Sequence, residues 1–169
     1  MRGAIRVCFV CLGNICRSPA AEAVLRRLVD EAGLTEVVEV DSAGTSRYHL
    51  GDRPDSRTVA EAARRGIPIE HRARQFTRDE LSEWDLVIAM DVQNLRDLRA
   101  LVSDDDLLGR VRLLREFDPP SNPTSETSAG HDVPDPYYGE DDGFCAMYDL
   151  IEPACRGLLE YLQTLVVRQ

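Results

Sequence analysis

The sequence predicts an α/β fold on a parallel sheet, and three observations carry that reading. Short apolar runs rich in β-branched residues occur at 5–10 and 85–90, with weaker ones at 36–40 and 111–114. Runs of that length and composition read as buried strands. Between them lie stretches whose apolar positions recur at helical spacing. The two kinds of segment alternate along the chain, which is the pattern of strands joined by crossover helices.

Taken in order, Ile5-Arg6-Val7-Cys8-Phe9-Val10 is the first strand and leads into the loop Cys11-Leu12-Gly13-Asn14-Ile15-Cys16-Arg17-Ser18. Pro19 follows, and Ala21, Val24, Leu25, Leu28 and Ala32 then mark a helix that Gly33 closes. Ser18 is expected to be its N-cap, because a residue before proline is pushed out of helical angles. Residues 36–40 form the second strand, ending in a turn at Asp41-Ser42-Ala43-Gly44. Residues 46–55 lack periodicity and contain Tyr48, His49, Gly51 and Pro54, so they read as a surface loop. A helix over 56–65 is ended by Gly66 and Pro68, and 79–83 suits a short helix. The third strand, 85–90, is followed by a helix over 91–101 capped by Asp91, then by the weak fourth strand. Residues 116–142 are polar and rich in proline and serine, a length of loop that is usually functional. A closing helix spans 144–166, with Pro153 expected to kink or break it.

At 169 residues the chain suits a single domain, 1–169, with a sizeable core, and no linker or internal repeat divides it. No apolar run is long enough to span a membrane, and the amino terminus lacks a signal-peptide pattern. A cytoplasmic monomer is the expectation. The net charge of −10 argues against nucleic acid as a partner. It leaves anionic substrates open, since a local nest of amides and an arginine can be positive within an acidic protein. Every basic residue counted is arginine, which excludes a lysine Schiff base or a Walker-type phosphate lysine.

Five cysteines without a secretion signal argue against a disulfide framework. Cys8 and Cys11 are not a redox pair, because three strand residues span about 10 Å. No second pair completes a zinc site, so no metal is expected, and Cys8 reads as core packing.

The chemistry concentrates in the loop after the first strand. A loop between a strand's carboxyl end and a helix's amino end presents free N–H groups and the positive end of the helix dipole. Cys11 is the first residue past the strand, and that dipole and the guanidinium of Arg17 both favour thiolate over thiol. The planar fork of Arg17 grips two oxygens of a phosphate at once. Five residues between them, Leu12, Gly13, Asn14, Ile15 and Cys16, suffice to curl amides around a tetrahedral oxyanion. Gly13 permits unusual backbone angles, Asn14 tolerates a left-handed one, and the Ser18 hydroxyl has a proton to donate to a nearby sulfur.

Cys-x5-Arg-Ser, written CLGNICRSP directly after a strand, resembles the signature loop of the low-molecular-weight protein tyrosine phosphatases. The resemblance continues through Asp41-Ser42-Ala43-Gly44-Thr45, Gly66-Ile67-Pro68, His71-Arg72-Ala73-Arg74, Met90-Asp91 and Asp135-Pro136-Tyr137-Tyr138, and so covers nearly the whole chain. It implies a four-stranded parallel sheet with helices on both faces, the phosphotyrosine protein phosphatase I-like fold. It implies hydrolysis of phosphotyrosine in proteins, and of small aryl phosphates, through a cysteinyl-phosphate on Cys11, without a cofactor. Phosphate would be held by residues 12–18 with Arg17, and Asp135 would be the general acid and base. From the residues alone, Asp132 and Asp118 compete with Asp135 for that role. A carboxyl near a thiolate and a phosphate dianion holds its proton more tightly, and Pro134 and Pro136 stiffen this one's backbone.

The resemblance also implies that Asn14, Ser18, Ser42 and His71 support the loop, and that Leu12, Tyr48, Tyr137 and Tyr138 wall the substrate cleft. Read singly, these residues are equally ordinary turn chemistry, a satisfied histidine and exposed tyrosines. Cys16, the fifth residue after Cys11 in the same curled loop, is expected to trap an oxidised Cys11 as a disulfide. Two rival activities belong to the same fold. Arsenate reduction needs further relay cysteines, and none lies between 81 and 90. Protein-arginine phosphatases of related sequence carry threonine where this chain has Ile15.

Overall fold

The computed structural model describes residues 3–120 and 131–169. Four parallel strands form one sheet in the order β2-β1-β3-β4, with β1 at Ile5–Cys11, β2 at Val38–Gly44, β3 at Leu86–Ala89 and β4 at Val111–Leu113. Helices α1 (Arg17–Glu31), α2 (Ser56–Arg64), α3 (Val92–Arg99), α4 (Asp105–Leu108) and α5 (Asp142–Val167) connect or follow them, with 3₁₀ turns at Asp79–Glu83 and Leu114–Phe117. The expected fold class is the one observed.

Alternation along β1 explains the layering. Ile5, Val7, Phe9 and Cys11 face a core shared with α1 and α5, through Ala21, Leu25, Ile151, Leu158 and their neighbours. Cys8 and Val10 point to the other face, against Phe76, Leu81, Trp84 and, from α3, Leu95 and Leu98. Cys8 and Cys11 therefore lie in different cores. The chain runs from β1 outward to β2 and then returns past β1 to β3. The crevice where that order reverses, outside the strands' carboxyl ends, is where such sheets place a ligand.

Gly33 ends α1 with a left-handed φ of 70°, its N–H on Asp30 and the Leu34 N–H on Val29, the paired bonds of a Schellman stop. Gly66 ends α2 in the same way, with φ 67° and bonds from Gly66 to Ala63 and Ile67 to Ala62. Asp55 and Asp91 cap α2 and α3 by accepting from the N–H groups of Arg57 and Asn94.

Three expectations need correcting, and one helix had no expectation. Ser18 is not the N-cap: α1 begins at Arg17, and Pro19 falls in the first turn, where a missing N–H costs no helical bond. Residues 41–44 are not a turn but the end of β2, in register with Cys8 to Cys11, because a parallel partner continues to receive them. Helix α4 was not anticipated; Asp104 caps its single turn. Pro153 does not break α5, which continues for 26 residues. A proline inside a helix costs about 3 kcal/mol. Ile151, Ala154, Cys155, Leu158 and Leu162 around it are fully buried, and about 1.5–3 kcal/mol for each large apolar side chain outweighs that cost. Of the long polar loop over 116–142, residues 121–130 lie outside the described residues. Among the described residues, no helix is long and apolar enough to cross a membrane.

Candidate active site

Residues 11–17 run from the end of β1 into the first turn of α1 and line a small open cleft of about 100 Å³, together with Tyr48, His49, Asp135, Tyr137 and Tyr138. The Cys11 sulfur lies at its base, buried, 3.0 Å from the Ser18 hydroxyl and 3.3 Å from the Asn14 N–H that donates to it. Freed from capping, the Ser18 hydroxyl joins the sulfur to the rest of the loop: it accepts from Asn14 Nδ2 at 2.8 Å and reaches the Ala43 carbonyl at 3.3 Å.

Asn14 holds the loop's shape. Its φ of 58° makes it the only left-handed non-glycine among the described residues. Its side chain spends both donors, on Ser18 and on Ser42 at 3.0 Å, and both acceptor directions, on the Arg74 N–H at 3.0 Å and on His71 Nε2 at 2.7 Å. That is the whole capacity of a carboxamide. The structure thus brings Asn14, Ser18, Ser42 and His71 into one network. Gly13 does not use its backbone freedom, since its φ is not positive; it supplies room instead, as a Cβ there would stand 3.0 Å from His49 Cδ2. Gly44 is needed more severely: a Cβ would meet the Leu12 carbonyl oxygen at 2.7 Å.

Arg17 is 3 % exposed. Nη1 donates to Asp91 Oδ2 at 2.5 Å and to the Val133 carbonyl at 3.1 Å, and Nη2 reaches Asp135 Oδ2 at 3.5 Å. Burial opposes its charge, but Cys11, Asp91 and Asp135 outweigh burial and push its pKa up. Nη1 thus has two short partners, while Nη2 has only the long contact to Asp135 on the cleft side. Asp135 is partly exposed at the cleft wall, its Oδ1 accepting the Tyr137 N–H at 3.1 Å. The competing acids are engaged elsewhere: Asp132 accepts the Val92 N–H, and Asp118 is buried on Arg115. Tyr137 packs edge-on against Tyr138 at 4.8 Å, and Tyr48 and Tyr138 are largely exposed at the rim. Cys16 is buried, and burial first, then the nearby Asp55 charge, pushes its thiol up to about 12.

Three residues of the site escaped the sequence. Asp91, read as a helix cap, also anchors Arg17; its place at the carboxyl end of the strand beside β1 was the available signal. Glu22 is buried, accepting from Ser42 at 2.9 Å and lying 3.2 Å from His71 Nδ1; a carboxylate four residues after Ser18 in a helix marks it. His49 forms cleft wall rather than surface loop, tilted against Tyr137 at 5.8 Å and paired with Asp52. Glu22, Asp41 and His71 also lie close enough to share a cation, but serine and arginine partners already occupy them.

A thiol and a buried guanidinium at the amino end of a helix, outside the carboxyl end of a parallel sheet, define a thiol-dependent hydrolase of phosphate monoesters. Residues 6–168 match the family model for low molecular weight phosphotyrosine protein phosphatase, and the chain belongs to that family. It is 49% identical over 154 residues to a low molecular weight protein-tyrosine-phosphatase of Streptomyces coelicolor, covering 91% of each chain. The structure resembles a protein tyrosine phosphatase of Entamoeba histolytica, solved with Hepes in its active site, at TM-score 0.87 and 35% identity, covering 95% of this chain and 98% of that one. It also resembles a Drosophila arginine phosphatase, at TM-score 0.81 and 29% identity, covering 93% and 97%.

Proposed function

We propose that the protein hydrolyses phosphotyrosine in proteins, acting as a cytoplasmic monomer, with Cys11 as nucleophile, Arg17 and the amides of residues 12–18 as phosphate cradle, and Asp135 as general acid and base. The observation that carries this is that Cys11, Arg17 and Asp135 line one small cleft walled by tyrosines, with Arg17 Nη2 reaching Asp135. Ser18 and the Asn14 N–H stabilise a thiolate at Cys11. That thiolate attacks phosphorus in line, and the phenolic oxygen leaves with the proton of Asp135. The carboxylate so formed takes a proton from water, whose oxygen attacks the cysteinyl-phosphate and releases inorganic phosphate and the thiolate. Charge on the transferring group is met by Arg17 and the loop amides, each such donor contributing about 10²–10³ in rate.

An aryl ring suits the walls. Tyr48, His49, Tyr137 and Tyr138 surround the mouth, and ring packing adds about 0.5–1.5 kcal/mol beyond burial. The likeness to an arginine phosphatase makes phosphoarginine the rival substrate, and the apolar Ile15 in the cleft favours the aryl ester. The test is turnover of matched phosphotyrosine and phosphoarginine peptides by wild type and Cys11→Ser. Preference for phosphotyrosine, lost in Cys11→Ser while phosphate still binds, is the expected result. Preference for phosphoarginine, or near wild-type turnover by the serine variant, overturns the reading.

A further inference from the structure

Beyond the cleft wall made by Leu12 and Tyr48 lies a second, larger groove of about 590 Å³ that shares those two residues with the cleft. Phe76 and Leu98 form its floor, Leu101 and Ala100 one side, and Arg47 and Asp97 its rim. It is firmly built. The Ser46 N–H and hydroxyl both donate to the Leu12 carbonyl, at 3.0 and 2.8 Å, and Phe76 and Arg74 exchange backbone bonds with Gly44 at 2.7 and 2.8 Å. The groove is thus tied to the loop that carries Cys11. Arg47 is exposed and has no acidic partner among the described residues. Leu12, at 41 % exposed, offers a leucine to solvent between the two depressions.

The geometry points to a docking site for the substrate chain next to its phosphotyrosine, taking a bulky apolar side chain into the groove and an acidic one onto Arg47. The inference rests on the phosphotyrosine reading of the cleft. A polypeptide with its phosphotyrosine in the cleft has to leave over the rim, and one way out crosses Leu12 and Tyr48 directly into the groove. An extended chain advances about 3.3–3.6 Å per residue, so the apolar side chain falls within about three residues of the phosphotyrosine. Its burial is equal in ground and transition states, so it lowers KM and leaves kcat alone.

The experiment compares p-nitrophenyl phosphate with phosphotyrosine peptides carrying an acidic flank and either leucine or alanine at each of three positions on both sides. In wild type, leucine at one position should lower KM about tenfold relative to alanine, with kcat unchanged. Ala100→Glu, which puts a carboxylate into the groove from an exposed position, and Arg47→Glu, at the rim, should erase that preference and leave p-nitrophenyl phosphate turnover intact. Equal KM for leucine and alanine peptides in an active wild-type enzyme overturns the groove and spares the phosphatase reading. Absence of turnover with every substrate overturns that reading itself. A concentration-dependent dimer in light scattering that Ala100→Glu dissociates assigns the groove to a second copy of the chain and overturns the docking role.

Discussion

Replacing Asn14 with alanine and with glycine separates the two things this residue does. Both variants remove four hydrogen bonds. Ser18 keeps Cys11 and Ala43, and Ser42 keeps Glu22, so those hydroxyls are not stranded. His71 Nε2 loses its short bond but keeps the Ser42 hydroxyl at 3.4 Å, whereas the Arg74 N–H loses its side-chain acceptor, at about 1–3 kcal/mol for a group left unpaired. Alanine alone also has to hold φ near 58°, which costs about 1–2 kcal/mol. Against that, glycine loses about 0.4–1 kcal/mol more chain entropy on folding. Alanine should therefore be destabilised by about 2–5 kcal/mol and glycine by about 1 kcal/mol less, inverting the usual order of these residues. At about 2–4 °C per kcal/mol for a chain of this size, thermal unfolding should show both well below wild type and alanine lowest by about 2–4 °C. Because the same bonds set where Cys11 sits, kcat on p-nitrophenyl phosphate should fall about 10²-fold in both. An alanine variant that melts at or above the glycine variant would refute the strain argument. Wild-type kcat in either variant would refute the claim that the network positions the loop.

Asp135→Asn should slow phosphate esters of poorly acidic phenols far more than those of good leaving groups, because a good leaving group needs little protonation; equal losses across a phenol series would point to another acid. Mild peroxide should inactivate the enzyme by converting Cys11 to a sulfenic acid; the Cys16 sulfur then attacks the Cys11 sulfur, its hydroxyl leaves as water, and the disulfide formed is reversed by dithiothreitol. In Cys16→Ser the untrapped sulfenic acid is carried by further peroxide to the irreversible sulfinic acid, so recovery on reduction should be lost, and full recovery would mean Cys16 is not the resolving thiol. Asp55, whose carboxyl is held below the usual range chiefly by the Arg57 guanidinium against an opposing effect of burial, contributes stability that is present above pH of about 4 and is lost as pH falls through its depressed value. Thermal melts of Asp55→Asn should lie below wild type above that pH and converge with it in acid; a constant difference across the range would contradict the linkage.

Much of this protein was already legible along the chain. Strands and helices declared themselves because burial on both faces of a parallel sheet demands continuous apolar runs, and burial on one face of a helix demands a 3.6-residue repeat. Gly33 and Gly66 marked helix ends because a left-handed stop favours glycine. The Cys11 to Arg17 loop was readable because all its chemistry lies within seven consecutive residues. Contacts between distant segments were not local in that sense. Asp91 looked like a helix cap, and only the placement of β3 beside β1 brings its second oxygen to Arg17, 74 positions away in sequence. Glu22 met Ser42 and His71 only through packing of α1 on the sheet. Ser18 was misread as a cap because the local rule for residues before proline was outweighed by its bonds to Cys11, Asn14 and Ala43, and α5 ran through Pro153 because the core beneath it outweighs one lost hydrogen bond. Spacing along the chain sets which backbone conformations are cheap, and tertiary packing decides which polar groups find each other once those segments are buried together.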